Sequence, residues 1–129
     1  MSEKVKLQYL FACDAVAMSP DRKATFYGMF SEIRAQAFPC THPAMAVVWG
    51  IRVRARCSIS LQLISPAGSV VKAFDSLTLE PAEGQEPIVG GHYSLTNVKF
   101  SKTGRYVFRL LSDDRVLGET PVIVGPLKE

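Results

Sequence analysis

Every odd-numbered position from Met45 to Leu63 is apolar: Met45, Val47, Trp49, Ile51, Val53, Ala55, Cys57, Ile59, Leu61 and Leu63. The even positions between them run Ala46, Val48, Gly50, Arg52, Arg54, Arg56, Ser58, Ser60 and Gln62. Successive side chains on a strand point to opposite faces, so period two over this distance predicts β-structure. One straight strand of about 20 residues would span roughly 66 Å. A compact domain of this chain length is only about 36 Å across. The pattern therefore predicts two strands, residues 44–51 and 56–64, joined by a basic turn at its least apolar stretch.

The rest of the chain alternates in the same way and shows no helical period. Residues 5–16 predict a strand with Leu7, Tyr9, Phe11 and Cys13 on one face. Residues 24–37 predict a second, with Phe26, Gly28 and Phe30 on one side and Tyr27, Met29 and Ile33 on the other. Gly28 inside it marks a bulge or a close backbone approach. Further strands are predicted over 69–79, 93–100, 105–110 and 115–124. Turn residues separate them: Ser19-Pro20-Asp21, Ser65-Pro66-Ala67-Gly68, Ser101-Lys102-Thr103-Gly104 and Asp113-Asp114. Residues 38–43 hold Pro39 and Pro43 and are expected to form a loop. Residues 80–91 form the longest predicted loop.

Seven to nine short strands at this spacing predict an all-β fold, a single-domain antiparallel β-sandwich of immunoglobulin-like architecture over residues 1–129. Gly104-Arg105-Tyr106-Val107-Phe108 has the form of a penultimate sandwich strand, whose tyrosine ties its hydroxyl to nearby backbone. Phe108 occupies the place of the antibody-type disulfide cysteine.

Several segments together resemble a family of small, uncharacterised bacterial proteins of about 130 residues. They are Phe26 to Gly28 with Phe30 and Ile33, Phe38-Pro39, the run from Leu61 to Gly68, residues 104–108, and Pro121-Val122-Ile123-Val124. The chain departs from that family at Ser65, where an aspartate is usual, and in a short link at residues 52–56. The resemblance implies the sandwich fold and brings no site residues with it.

Composition narrows the function classes. A chain of 129 residues with 47% hydrophobic positions is long enough to fold without disulfide or metal. The net charge of +3 is weak for a nucleic-acid binder, so no nucleic-acid partner is expected. No apolar run is long enough to span a bilayer, and no membrane association is expected. Three widely spaced cysteines fit a reduced, cytoplasmic protein.

Two groups are candidates for interaction. Arg52, Arg54 and Arg56 would form a cationic stripe on a continuous strand, or a solvated turn if the chain bends there. Glu80, Glu83 and Glu86 give the long loop an acidic character. Cys40 and His42, with His92 or Cys13, are the only residues that could make a thiol or metal centre, yet zinc sites use paired ligands and only one pair exists here. Asp113-Asp114 fits a turn tip rather than a carboxylate pair. No nucleotide-binding glycine loop or metalloprotease motif is present, and no cofactor is expected. Leu10-Phe11-Ala12-Cys13 has the outline of a lipoprotein cleavage box, but the apolar stretch before it is short. The leading expectation is a non-enzymatic binding or assembly module with a protein partner or a homo-oligomer. The alternatives are a small metal-binding protein or thiol enzyme using the Cys40 and His42 loop, and a surface-anchored lipoprotein processed at Cys13.

Overall fold

A computed structural model describes residues 5–21, 23–81 and 88–127. They form ten strands: β1 (Val5–Met18), β2 (Ala24–Phe30), β3 (Glu32–Ala35), β4 (Cys40–Val53), β5 (Cys57–Ile64), β6 (Val70–Ala73), β7 (Leu77–Leu79), β8 (Ile88–Phe100), β9 (Gly104–Ser112) and β10 (Arg115–Pro126). One sheet has four strands in the order β2-β1-β4-β8. The other has six, in the order β3-β10-β9-β5-β6, with β7 also on β5. All pairings are antiparallel except β3 with β10. The all-β, immunoglobulin-like sandwich is thus the fold observed.

The long alternation does divide. β4 ends at Val53 and β5 starts at Cys57, and the three residues between them carry the chain from the four-stranded sheet to the six-stranded one. The two strands face each other across the core instead of pairing as a hairpin. The crossover keeps the phase of the pattern. Met45, Val47, Trp49, Ile51 and Val53 point inward from one sheet, and Cys57, Ile59, Leu61 and Leu63 point inward from the other. All nine belong to one buried cluster, completed by Phe100, Tyr106, Phe108, Leu110, Val122 and Val124. Burying side chains of this size stabilises a fold by about 1.5–3 kcal/mol each.

Two predicted strands each break in two, which raises the count to ten. The stretch over 24–37 changes sheets at Ser31, whose carbonyl accepts a hydrogen bond from the Ile123 amide at 2.8 Å. The stretch over 69–79 breaks at residues 74–76. There the Tyr93 hydroxyl donates to the Asp75 carbonyl at 3.0 Å, which ties β8 of one sheet to the far edge of the other.

The expected loop over 38–43 is corrected as well. After a cis Phe38–Pro39 bond, β4 already starts at Cys40 and runs through Pro43. Proline fits there because β1 meets β4 only from Val5↔Val53 to Cys13↔Ala46, so this end of β4 has β8 alone as its neighbour. Likewise β8 begins at Ile88, and Gly90 and Gly91 are strand residues rather than loop residues.

The turns follow their residues. The Gly68 amide donates to the Ser65 carbonyl at 2.9 Å, and Gly68 has φ +90°. Asp113 and Asp114 both have positive φ, as a two-residue hairpin turn of the primed type requires. The Tyr106 hydroxyl donates to the Lys102 carbonyl at 2.9 Å, the tie expected of a penultimate sandwich strand.

Candidate functional site

The basic candidates fall at the crossover. Arg52 is half-buried near the end of β4, while Arg54 and Arg56 are exposed beyond it. No continuous strand carries the three, so the stripe is not built. Arg56 instead meets Glu80, with Nε 3.6 Å from Oε1, and both side chains are more than 70% exposed. The two oppositely charged candidates therefore partly neutralise each other. Glu83 and Glu86 lie outside the described residues.

Cys40 and His42 sit on the core-facing side of β4, where Cys40 packs on the core and the His42 ring lies 5.7 Å from the Phe30 ring. Burial pushes the Cys40 thiol above its ordinary range. His92 pairs with Val48 on the opposite face of the same sheet, so the sheet itself separates the two histidines. Among the described residues no three His, Cys, Asp or Glu side chains gather as a metal site. Cys13 is fully buried within β1, and desolvation raises its thiol pKa too. Cleavage before Cys13 would remove the half of β1 that pairs with β4. Asp113 anchors its turn to β5: its amide donates to the Ser58 carbonyl at 3.0 Å, and its carboxylate accepts from the Ser58 amide at 3.2 Å.

The most distinctive surface is the outer face of the four-stranded sheet, and a bulge creates it. The β1–β4 register slips between Leu7 and Tyr9. One extra residue reverses the faces of everything that follows. Val5 and Leu7 point to the core, and after the slip Leu10 and Ala12 do so. Phe11 and Cys13 form a separate cluster with Ala46 and Val48 on the other side. The single face expected for Leu7, Tyr9, Phe11 and Cys13 is therefore wrong from Tyr9 onward.

A second irregularity folds the β1–β2 hairpin over that face. In the β1–β2 register Asp14 falls opposite Gly28, which has φ +63° and leaves room for the Asp14 carboxyl. On one side of this point Phe30 packs on the core. On the other, Phe26 meets Phe11 edge to face at 5.2 Å. The pairing predicted for Phe26 and Phe30 on one face is thus broken at Gly28. Val16, Met18, Ala24 and Phe26 of the hairpin then line a groove of about 260 Å³ with Tyr9, Val48, Gly90, Gly91 and His92. Val48 is only 2% exposed although it lies on the outer face.

Glycines form the floor. A Cβ at Gly50 would stand 2.1 Å from the Tyr9 ring, and one at Gly90 would stand 2.8 Å from its hydroxyl. Sequence reasoning set Gly90-Gly91 aside because it fits no nucleotide motif. The available signal was glycine inside a strand pattern, which marks close approach of another group.

Beside the groove runs β2, an edge strand with six of its seven residues exposed. Tyr27 is 54% exposed and Met29 69%. The other described edges are guarded. β3 has only four residues and carries Glu32 and Arg34; β6 is as short and carries Lys72. β8 carries Lys99 and is held across the sandwich through Tyr93. Among the described edges longer than three residues, β2 alone has neither charge nor proline, the devices that keep a sheet edge from pairing.

Among the described residues no helix is long and apolar enough to cross a membrane. No curated protein matches the chain. Solved structures share its fold at low identity. The chain is similar to part of the alkylpurine DNA glycosylase AlkC of Pseudomonas fluorescens, at TM-score 0.54 and 12% identity over 96% of this chain and 31% of that one. It is similar to part of a beta-D-glucoside glucohydrolase of Trichoderma reesei, at TM-score 0.54 and 10% identity over 94% of this chain and 19% of that one. It thus spans less than a third of either protein. An immunoglobulin-like protein of Pseudomonas aeruginosa aligns over 95% of this chain and 97% of its own, at TM-score 0.48 and 15% identity. The model of a family of unknown function (DUF6941) matches residues 8–125, and the chain belongs to that family.

Proposed function

We propose that this chain is a non-enzymatic binding or assembly module that takes up an extended protein segment along the β2 edge. The supporting observation is that edge itself: seven residues without charge or proline, continuous with the aromatic outer face at Phe26. An open edge offers a row of unpaired backbone groups, and strand addition uses them for affinity while alternate side chains supply selectivity. The reading requires no reacting group, in keeping with the dispersal of Cys40, His42 and His92 over two faces. Cys13, Cys40 and Cys57 form no disulfide, which fits a reducing compartment, and the cytoplasm is the proposed location.

The test is capture on immobilised full-length chain, comparing wild type with Thr25→Lys. Thr25 is exposed as the second residue of β2, opposite Ala17 of β1, so the substitution charges the edge without entering the core. A protein retained by wild type and lost by Thr25→Lys supports the reading. Equal retention by both refutes it.

A further inference from the structure

We infer that the groove on the outer face of the four-stranded sheet binds a small, uncharged, two-ring aromatic compound bearing one hydrogen-bonding group. The site is separate from the β2 edge and does not depend on the edge-pairing reading.

Register places its parts. Tyr9, Gly50 and Gly90 form one row across β1, β4 and β8, and Phe11, Val48 and His92 form the next. The first row is bare beyond β1. Gly50 leaves the Tyr9 ring lying on the backbone, and Gly90 makes room for its hydroxyl. In the second row Val48 is the floor, at 2% exposure. Val16, Met18, Ala24 and Phe26 of the hairpin wall the groove on the β1 side, and His92 stands on the β8 side.

Volume, shape and charge then select the occupant. An apolar cavity of about 150 Å³ holds one benzene ring, so the groove's 260 Å³ suits two fused rings. Three aromatic side chains already form an array beside it: Tyr9 to Phe11 at 6.1 Å and Phe11 to Phe26, edge to face, at 5.2 Å. A flat ring entering the groove extends that array at the centroid spacings such contacts favour. No lining residue is Asp, Glu, Lys or Arg, so a charged ligand would give up its hydration without gaining a fixed counter-charge. Tyr9 and His92 are the only lining residues whose side chains carry a nitrogen or oxygen, and neither side chain hydrogen-bonds to another described residue. A hydroxyl and a neutral imidazole each donate and accept, which matches one N–H or O–H on the ligand. A sugar, with several hydroxyls to satisfy, finds too few partners here.

Two-dimensional amide NMR of the full chain, titrated with indole, tests the inference. Indole shifts the amides of Gly90, Gly91 and His92 and saturates with a Kd of about 0.1–1 mM. Ala24→Trp fills the groove from an exposed strand position and abolishes the response. Met18→Trp, opposite Ala24 in the hairpin, does the same and serves if Ala24→Trp does not fold. His92→Phe keeps an aromatic wall but removes the hydrogen bond, and weakens indole about fivefold. Indole-3-acetate, which adds a carboxylate, binds at least about tenfold more weakly than indole. Thr25→Lys charges the β2 edge and leaves indole binding unchanged, so the groove and the edge are judged separately. The inference is overturned if indole at about 5 mM causes no saturable shift. It also falls if both tryptophan variants fold and bind indole as wild type does, or if indole-3-acetate binds as tightly as indole. Shifts of the groove amides with protein concentration alone would make the occupant a second copy and overturn it too.

Discussion

Gly91→Ala tests whether the strand glycines exist to seat aromatic rings. Gly91 lies opposite Trp49 in the β4–β8 pair. A Cβ there would stand 2.4 Å from one Trp49 ring carbon and 2.8 Å from the next. Carbon atoms rest near 3.5 Å, so the ring must retreat by about 1 Å. It has no space to do so, because Trp49 is 2% exposed and packed into the main core. Overpacking of this kind costs about 1–3 kcal/mol. Alanine also restricts the unfolded chain, which returns about 0.4–1 kcal/mol. The net expectation is a loss of about 1–2 kcal/mol. Urea unfolding followed by far-UV circular dichroism measures it, and a double-mutant cycle assigns the cause. In a Trp49→Phe background the smaller ring leaves room, and Gly91→Ala loses most of its cost, with a coupling of about 1 kcal/mol or more. Gly68→Ala is the contrast: it has open space around it but φ +90°, so its cost of about 1–2 kcal/mol is conformational and does not couple to Trp49. Equal destabilisation by Gly91→Ala in both backgrounds refutes the seating argument.

Three further outcomes follow from named contacts. Tyr106→Phe removes the hydroxyl that donates to the Lys102 carbonyl and accepts from the Lys102 amide, and thermal or urea unfolding will show a loss of about 1–2 kcal/mol. Burial, then the nearby Asp75 carboxylate, pushes the Tyr93 hydroxyl up to about 12 from an ordinary value of 10.0. The folded state therefore holds this proton where the unfolded chain has released it, so stability present below pH 10 falls as pH rises towards 12; Tyr93→Phe flattens that slope in alkaline unfolding curves. Arg56→Ala breaks an exposed ion pair with Glu80 and changes the unfolding free energy by less than about 1 kcal/mol, and a larger effect means that Arg56 has a structural role.

The fold was legible wherever one face of a strand meets the core. The alternation through β4 and β5 is read correctly because both strands bury the same parity in one cluster. The length limit then places the crossover within a residue or two. The turns were legible because their chemistry is local: Ser65 to Gly68 and Asp113-Asp114 need no information from elsewhere in the chain. What was not legible depended on distant partners. The break at residues 74–76 answers to Tyr93, and the change of sheet at Ser31 answers to Ile123. Pro43 looked like a loop residue because the sequence cannot show that β4 has lost β1 as a neighbour there. The candidate surface was missed for the same reason. Charged residues drew the eye to the crossover, while the open edge is notable for the charges it lacks.

The bulge in β1 links the core to the proposed surface. That strand is apolar at Leu7, Tyr9, Phe11 and Cys13, and also at Val5, Leu10, Ala12 and Val16, more than one face of a half-buried strand accommodates. Strict alternation would send Leu10 and Ala12 outward and Tyr9, Phe11 and Cys13 inward. The slip between Leu7 and Tyr9 exchanges them. The small Ala12 then lies under the packed core, and the aromatic pair Tyr9 and Phe11, with centroids 6.1 Å apart, is released to the outer face. An apolar outer face must itself be covered. The chain covers Cys13, Ala46 and Val48 with Phe11 and Val16, and Phe26 extends the layer by packing on Phe11. That cover ends at β2, which has no further strand beside it among the described residues. The excess of apolar residues in β1 thus propagates outward through the hairpin to an edge that pairs with no other strand among the described residues.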